Sequence, residues 1–198
     1  ERSRLKQKKC KVCRHDFTPT RPLQIVCSVP CAASLGRIKA EKQEKEAKRV
    51  ERKKDAETRV RLKTKPQLTK EAQREFNKYI RLRDANQACI CCGEPLGEGS
   101  VGGGYDAGHY RSVGSAPHLR FDERNVHAQR KRCNRYGAGR AVEFRAGLVA
   151  RFGVEFVESL EADQAPKHYT REDLINIRDT YRRKTKELEK CNQTTSED

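Results

Sequence analysis

The chain has 198 residues, 34% of them apolar and 36% charged, with no Trp and no Met, which excludes one large core and favours small modules joined by polar helix. Its 44 Lys and Arg against 28 Asp and Glu leave a net charge of +16, a field suited to a polyanion, with DNA the expected partner. No run of about 18 apolar residues is present, so no membrane span is expected.

No export signal is visible, and nine cysteines in such a chain read as metal ligands in the reducing cytoplasm before they read as disulfides. The expected class is α+β, mainly helical: a small cysteine module, a long charged helix, a compact core and a C-terminal helix.

Residues 1–34 hold Cys10-x2-Cys13 and Cys27-x3-Cys31. Two close pairs separated by a short segment have the spacing of a structural four-cysteine zinc site. So short a segment buries too little apolar surface to fold alone, and the metal must supply folding energy. His15 is a spare nitrogen, read as surface. Residues 35–66 are rich in Glu, Lys and Arg, without Gly or Pro from Arg37 to Lys65. Pairs such as Glu44–Lys48 support a solvated helical arm. Its apolar positions hold no heptad, which argues against a coiled coil. The arm either lies along a DNA backbone or is a plain spacer.

Residues 67–165 form the expected core. Thr69 can cap a helix to about Ala85 that buries Ala72, Phe76, Tyr79 and Ile80. CICCGEPLGEGSVGGG then reads as knuckle, turn and glycine-rich loop, with Cys89 and Cys92 the natural pair and Cys91 an extra thiol. The next strand carries YDAGHYRS. Hydrolysis of a phosphodiester needs a base for water and a cation for the developing charge. The imidazole of His109 suits the first task, and the Asp106 carboxylate suits a hard cation such as Mg2+ or Mn2+. Three residues apart on a strand, the two lie on opposite faces, so a shared site requires a bend at Gly108.

Further on, Asn125 and Asn134 supply amides that can orient a loop or coordinate Mg2+. Asn134 is expected at the start of a helix. Arg111, Arg120, Arg124, Arg130, Lys131, Arg132 and Arg135 crowd the same stretch and are candidate phosphate contacts. Beyond it, Phe144, Leu148, Phe152, Phe156 and Leu160 mark an amphipathic helix broken near Gly153. Pro166 then opens a closing helix over 166–190, with Thr170-x-x-Asp173 as a near capping box. Its Leu174, Ile177, Tyr181 and Leu188 stripe fits either the chain's own core or a homodimer contact. Residues 191–198 are expected to be a disordered tail.

The order extended strand, His109, Asn125, then Cys133–Asn134 resembles the ββα-metal (HNH) nuclease motif. The resemblance implies His109 as general base, Asn125 as the residue that fixes the loop, and Asn134 as metal ligand beside Asp106. More specifically, CICCG, YDAGHYRS, APHLRFDERNVHAQ and the following CN resemble the phage NinG/Rap family of recombination endonucleases. That likeness spans nearly the whole chain. It implies a metal-dependent nuclease selective for branched DNA (Holliday junctions and D-loops), working among other recombination proteins.

It also implies a second zinc site in which a CxxC pair near 130 and 133 joins Cys89 and Cys92. This chain has Arg130 and Cys133, so one ligand is missing; either Cys91 or His127 replaces it, or the site binds zinc weakly or not at all. Tyr136 and Gly137 stand where the family has His and Lys. A zinc-stabilised protein that binds branched DNA without cutting it is the alternative.

Overall fold

The computed structural model describes residues 6–97 and 104–194. It is mostly helical, with two two-stranded sheets. The chain divides into two compact units, Glu1–Lys63 and Thr64–Asp198. The closing helix therefore belongs to the second unit and is not a separate piece.

The first unit opens with a small hairpin of β1 (Lys8–Lys9) and β2 (Asp16–Phe17), paired antiparallel. The turn between them carries Cys10 and Cys13, with Arg14 in the left-handed region at φ 64°. Helix α1 (Val29–Leu62) follows, about 51 Å long at ~1.5 Å per residue. It starts earlier than the charge pattern suggested. Ser28 takes the N-cap and accepts from Cys31 N–H, and Pro30 fits the first turn, where a missing N–H does no harm. Cys31 is thus part of the helix. No α1 residue is buried, in keeping with a solvated arm stabilised by pairs such as Lys48–Glu44 at 2.6 Å.

In the second unit α2 (Lys65–Arg83) begins before Thr69. Thr64 is the N-cap, and a reciprocal capping box with Gln67 admits Pro66 to the first turn. Pro66 therefore opens a helix instead of breaking one. The Thr69 hydroxyl bonds back to the Lys65 carbonyl at 3.0 Å.

A second hairpin joins β3 (Tyr105–His109) to β4 (Val126–Arg130), in register from Tyr105 opposite Arg130 to His109 opposite Val126. One π-helical turn, Arg132–Tyr136, follows in place of the expected longer helix. Helix α3 (Ala141–Phe152) and helix α4 (Val154–Ala162) are separated by Gly153 at φ 88°, a conformation that favours glycine.

Helix α5 (Arg171–Thr194) carries the Thr170–Asp173 capping interaction, with Asp173 N–H donating to Thr170 Oγ1 at 3.1 Å. It extends past the expected end, so residues 191–194 are helical. The rest of the expected tail, 195–198, and the glycine-rich loop over 98–103 lie outside the described residues.

The main core joins Leu68, Ala72, Phe76 and Ile80 of α2 to Leu174 and Tyr181 of α5 and to Ala107 and Val126 of the hairpin. Phe76 meets the Tyr181 ring edge-on at 4.7 Å and the Phe121 ring at 5.8 Å. A fully buried Phe contributes about 1.5–3 kcal/mol by burial alone. The α5 stripe is thus used inside the chain's own core. A second cluster seats Ile90 of the knuckle on Phe144 and Leu148 of α3 and Val157 of α4.

Candidate functional site

Two groups of cysteines can hold a metal among the described residues. In the first, the ligand atoms of Cys10, Cys13, Cys27 and Cys31 all lie within 4.8 Å of one another. Cys13 and Cys27 thiols are 3.4 Å apart, and Cys27 and Cys31 thiols 3.6 Å. These spacings approach the ~3.8 Å between sulfurs of a tetrahedral zinc site with ~2.3 Å bonds, so the donor set fits zinc. Burial pushes the Cys10 thiol up, but the N–H groups of Cys13, Val12 and Cys27 outweigh it and bring the thiol down to about 6. Its neighbours push Cys27 up to about 12. His15 is exposed and outside the group.

The second group is Cys89, Cys92 and Cys133. Burial raises the Cys89 thiol, and N–H groups of Arg130, Cys91 and Cys92 bring it down to about 7. Burial and the neighbouring Cys89 and Cys133 thiols push Cys92 up to about 11. Three thiols of this kind fit zinc, with one coordination position to fill.

His127 does not fill it. On β4 its ring is buried and turned away from the cysteines, with Nε2 3.1 Å from the Arg124 carbonyl and Nδ1 3.2 Å from Arg83 Nη2. It packs on the Phe152 ring at 5.2 Å. Buried Asp84, which pairs with Arg83 and accepts from Ala128 N–H at 2.8 Å, completes this network. Nothing in the sequence spacing of Arg83, Asp84 and His127 announces this network.

The hairpin gathers the remaining candidates. His109 is half-buried at the end of β3, with Nε2 3.0 Å from the Arg120 carbonyl. Burial is the main cause that lowers its pKa, so the ring is neutral at neutral pH. Tyr110 N–H donates to the Asn125 carbonyl at 2.8 Å, extending the pairing past His109. Fully buried Asn125 closes the intervening loop. Its Oδ1 accepts from Arg111 N–H at 2.8 Å, and its Nδ2 donates to the carbonyls of Arg111 at 3.0 Å and Leu119 at 3.2 Å.

Asn134, in the π-helical turn after Cys133, returns to β3, where its Nδ2 donates to Asp106 Oδ2 at 3.1 Å. Arg135 grips the same carboxylate through two bonds of 2.7 and 2.9 Å. Burial raises the Asp106 pKa, and Arg135 and Asn134 outweigh it to leave the net shift downward. Asp106 and Asn134 are therefore together. His109 is not with them: β3 stays regular through Gly108, without the expected bend, and keeps residues three apart on opposite faces.

The seven basic residues near the hairpin all have partners within the unit. Arg111 Nη1 donates to the Leu160, Glu161 and Asp163 carbonyls at the end of α4, a helix C-cap. Arg120 reaches Gln73, Arg124 pairs with Asp122 and Asp163, Arg130 and Arg132 with Glu94, and Arg135 with Asp106. Lys131 N–H bonds to the Gly104 carbonyl.

Fold and site thus define a helical protein with two cysteine groups able to hold zinc, the second beside an Asp-Asn-His hairpin. The family model "Bacteriophage Lambda NinG protein" matches residues 2–192, and the chain belongs to the NinG family. It is 36% identical to the protein ninG of Salmonella phage P22, over 92% of this chain and 94% of that one. It is also 36% identical to that of Escherichia phage 933W, over 92% and 94%, and 35% identical to that of Escherichia phage lambda, over 92% and 93%. No solved structure matches the chain. No described helix is long and apolar enough to cross a membrane.

Proposed function

We propose that the chain is a structure-selective DNA endonuclease of phage recombination, an HNH-type enzyme that hydrolyses phosphodiesters in branched DNA. The observation that carries this reading is the path of the second hairpin. It sets a neutral histidine at a strand end, pins the following loop through Asn125, and brings Asn134 back against Asp106.

With Nε2–H donating to the Arg120 carbonyl, Nδ1 of His109 keeps its lone pair and takes the proton of the attacking water. Asp106 and the amide oxygen of Asn134 would hold Mg2+ or Mn2+, which supplies charge neutralisation on the phosphate and the leaving oxygen. Arg135 must release Asp106 for this, and a scissile phosphate is a competing partner for its guanidinium. Asn125 is a positioning residue. The charge of the first unit supports DNA as the partner.

One observation favours a second reading, a zinc-stabilised protein that binds branched DNA without cutting it. His109 and Asp106 issue from opposite faces of β3, and Asp106 is already paired. The deciding experiment is cleavage of a labelled four-way junction and a matching linear duplex with Mg2+ or Mn2+, comparing the unaltered chain with His109→Ala. Junction cutting lost in the variant while binding persists supports the enzyme. Tight junction binding without cutting under either metal supports the second reading, and undiminished cutting by His109→Ala overturns the role given to His109.

A further inference from the structure

Counted by the Cys89-x2-Cys92 knuckle and Cys133, the second cysteine group is one donor short of a closed site. Arg130 occupies the position at which the family resemblance would set the fourth thiol. Its guanidinium is turned to Glu94, and what it offers the group is its backbone N–H, 3.3 Å from Cys89 Sγ. His127 is held by Arg83 and the Arg124 carbonyl, and Glu94 is paired with Arg130 and Arg132. Cys91 remains. Its Sγ lies 3.5 Å from Cys89 Sγ, although it stands outside the set of Cys89, Cys92 and Cys133 whose ligand atoms all lie within 4.8 Å of one another.

We propose that Cys91 supplies the fourth thiolate, making Cys89, Cys91, Cys92 and Cys133 a closed four-cysteine zinc centre. Cys91 already meets Cys89. Closing on Cys92 and Cys133 requires the Cys91 side chain to turn to another staggered position about its Cα–Cβ bond. Four thiolates around Zn2+ carry a net charge of −2, which needs outer donors. They are present: Arg130 N–H on Cys89, Gln129 Nε2 at 3.3 Å from Cys91 Sγ, and Arg140 Nη1 at 4.0 Å from Cys133 Sγ.

Buried Gln129 also donates to the Gly139 carbonyl at 2.8 Å, so one side chain ties Cys91 to the segment between the π-helical turn and α3. A closed centre leaves no open position for water or phosphate. Its work is to clamp the knuckle to the π-helical turn through Cys133, one residue before Asn134. This assignment does not depend on whether the hairpin cuts DNA.

The test is cadmium-113 NMR of the full-length chain loaded with cadmium-113, alongside its zinc content as purified. Two resonances are expected, both in the range of four-thiolate coordination, with the N-terminal one identified by its loss in Cys13→Ser. In Cys91→Ser the other resonance is expected to move upfield to the range of three thiolates and an oxygen, or to vanish, while the N-terminal one stays. The proposal is overturned if the unaltered chain gives a three-thiolate resonance or takes up a single cadmium, or if both resonances keep their positions in Cys91→Ser. Should that variant not fold, the spectrum of the unaltered chain still decides.

Discussion

Gly147 of α3 lies directly against the carbonyl of Ile90 in the cysteine knuckle, where a Cβ would collide with the backbone oxygen. The neighbour is main chain, so it cannot swing aside as a side-chain tip would. The contact seats Ile90 between Phe144, Leu148 and Val157 and so joins the packing of α3 to the geometry of Cys89, Cys91 and Cys92. Gly147→Ala is expected to destabilise the protein by about 1–3 kcal/mol, the usual range for overpacking, and to lower zinc retention at the second group while sparing the first. Urea unfolding and metal content after chelator challenge check this. An unchanged midpoint with full zinc would show that the two elements can part without loss.

Asn125 offers a sharper contrast. Its amide makes three hydrogen bonds to backbone groups of the 110–125 loop from a fully buried position. Asn125→Ala strands those groups, each a loss of about 1–3 kcal/mol when left unpaired, and a total near 3 kcal/mol is expected because water reaches part of the loop. Asn134→Ala, with one bond to Asp106 from a half-buried turn, is expected to lose less than about 1 kcal/mol. Comparing the two unfolding midpoints tests this, and equal losses would mean that Asn125 does not hold the loop.

The contrast also shows what the sequence made legible. Cysteine spacing names the N-terminal metal group and the Cys89–Cys92 knuckle because that ligand geometry is local, whereas distant Cys133 enters only through the family resemblance; Phe76 and Tyr181 announce their helix faces by period. The sequence leaves Cys91 and His127 as equal candidates for the missing donor of the second group. The Arg83–Asp84 pair and the bonds of the imidazole to Arg83 and the Arg124 carbonyl remove His127 from that choice, and no spacing announces them. The start of α2 lies before Thr69 because the Thr64–Gln67 capping box sets it, a pairing that the Thr69 signal masks in the sequence. The roles of the arginines were hidden as well: Arg111 looks like a phosphate contact in sequence and serves as a helix cap in the fold.

Burial and the adjacent Arg83 guanidinium lower the His127 pKa from its usual 6.5 to about 4. The neutral ring, with Nε2–H on the Arg124 carbonyl and Nδ1 facing Arg83, satisfies the site, whereas protonation at Nδ1 sets cation against cation. The folded-state pKa is depressed, so the contribution is complete above pH 6.5 and is lost as pH falls toward 4. A shift of this size corresponds to on the order of 3 kcal/mol. Unfolding free energies across that window are expected to fall more steeply for the unaltered chain than for His127→Gln, which cannot titrate. Thiolate protonation at the cysteines is common to both and drops out of the difference; parallel profiles would remove His127 as the cause.

Residues 1–63 contain 20 Lys and Arg against 8 Asp and Glu, a net of +12 out of the chain's +16. The arginines around the hairpin, by contrast, are matched to Glu94, Asp106, Asp122 and Asp163. Counterion release makes the logarithm of affinity fall with the logarithm of salt concentration by about 0.9 per phosphate neutralised on duplex DNA. If the arm lies along the backbone, replacing exposed Lys39, Lys42, Lys45 and Lys54 of α1 by Gln should reduce that slope by about 1–3. It should leave the unfolding free energy within about 0.5 kcal/mol, since these side chains are exposed. Replacing Arg130, Arg132 and Arg135 together should change the slope less and lower stability more, because it leaves Glu94 and Asp106 unmatched. Titrations of a labelled four-way junction at several salt concentrations give both slopes. A larger loss from the hairpin set would make α1 a spacer and move the DNA contact to the second unit.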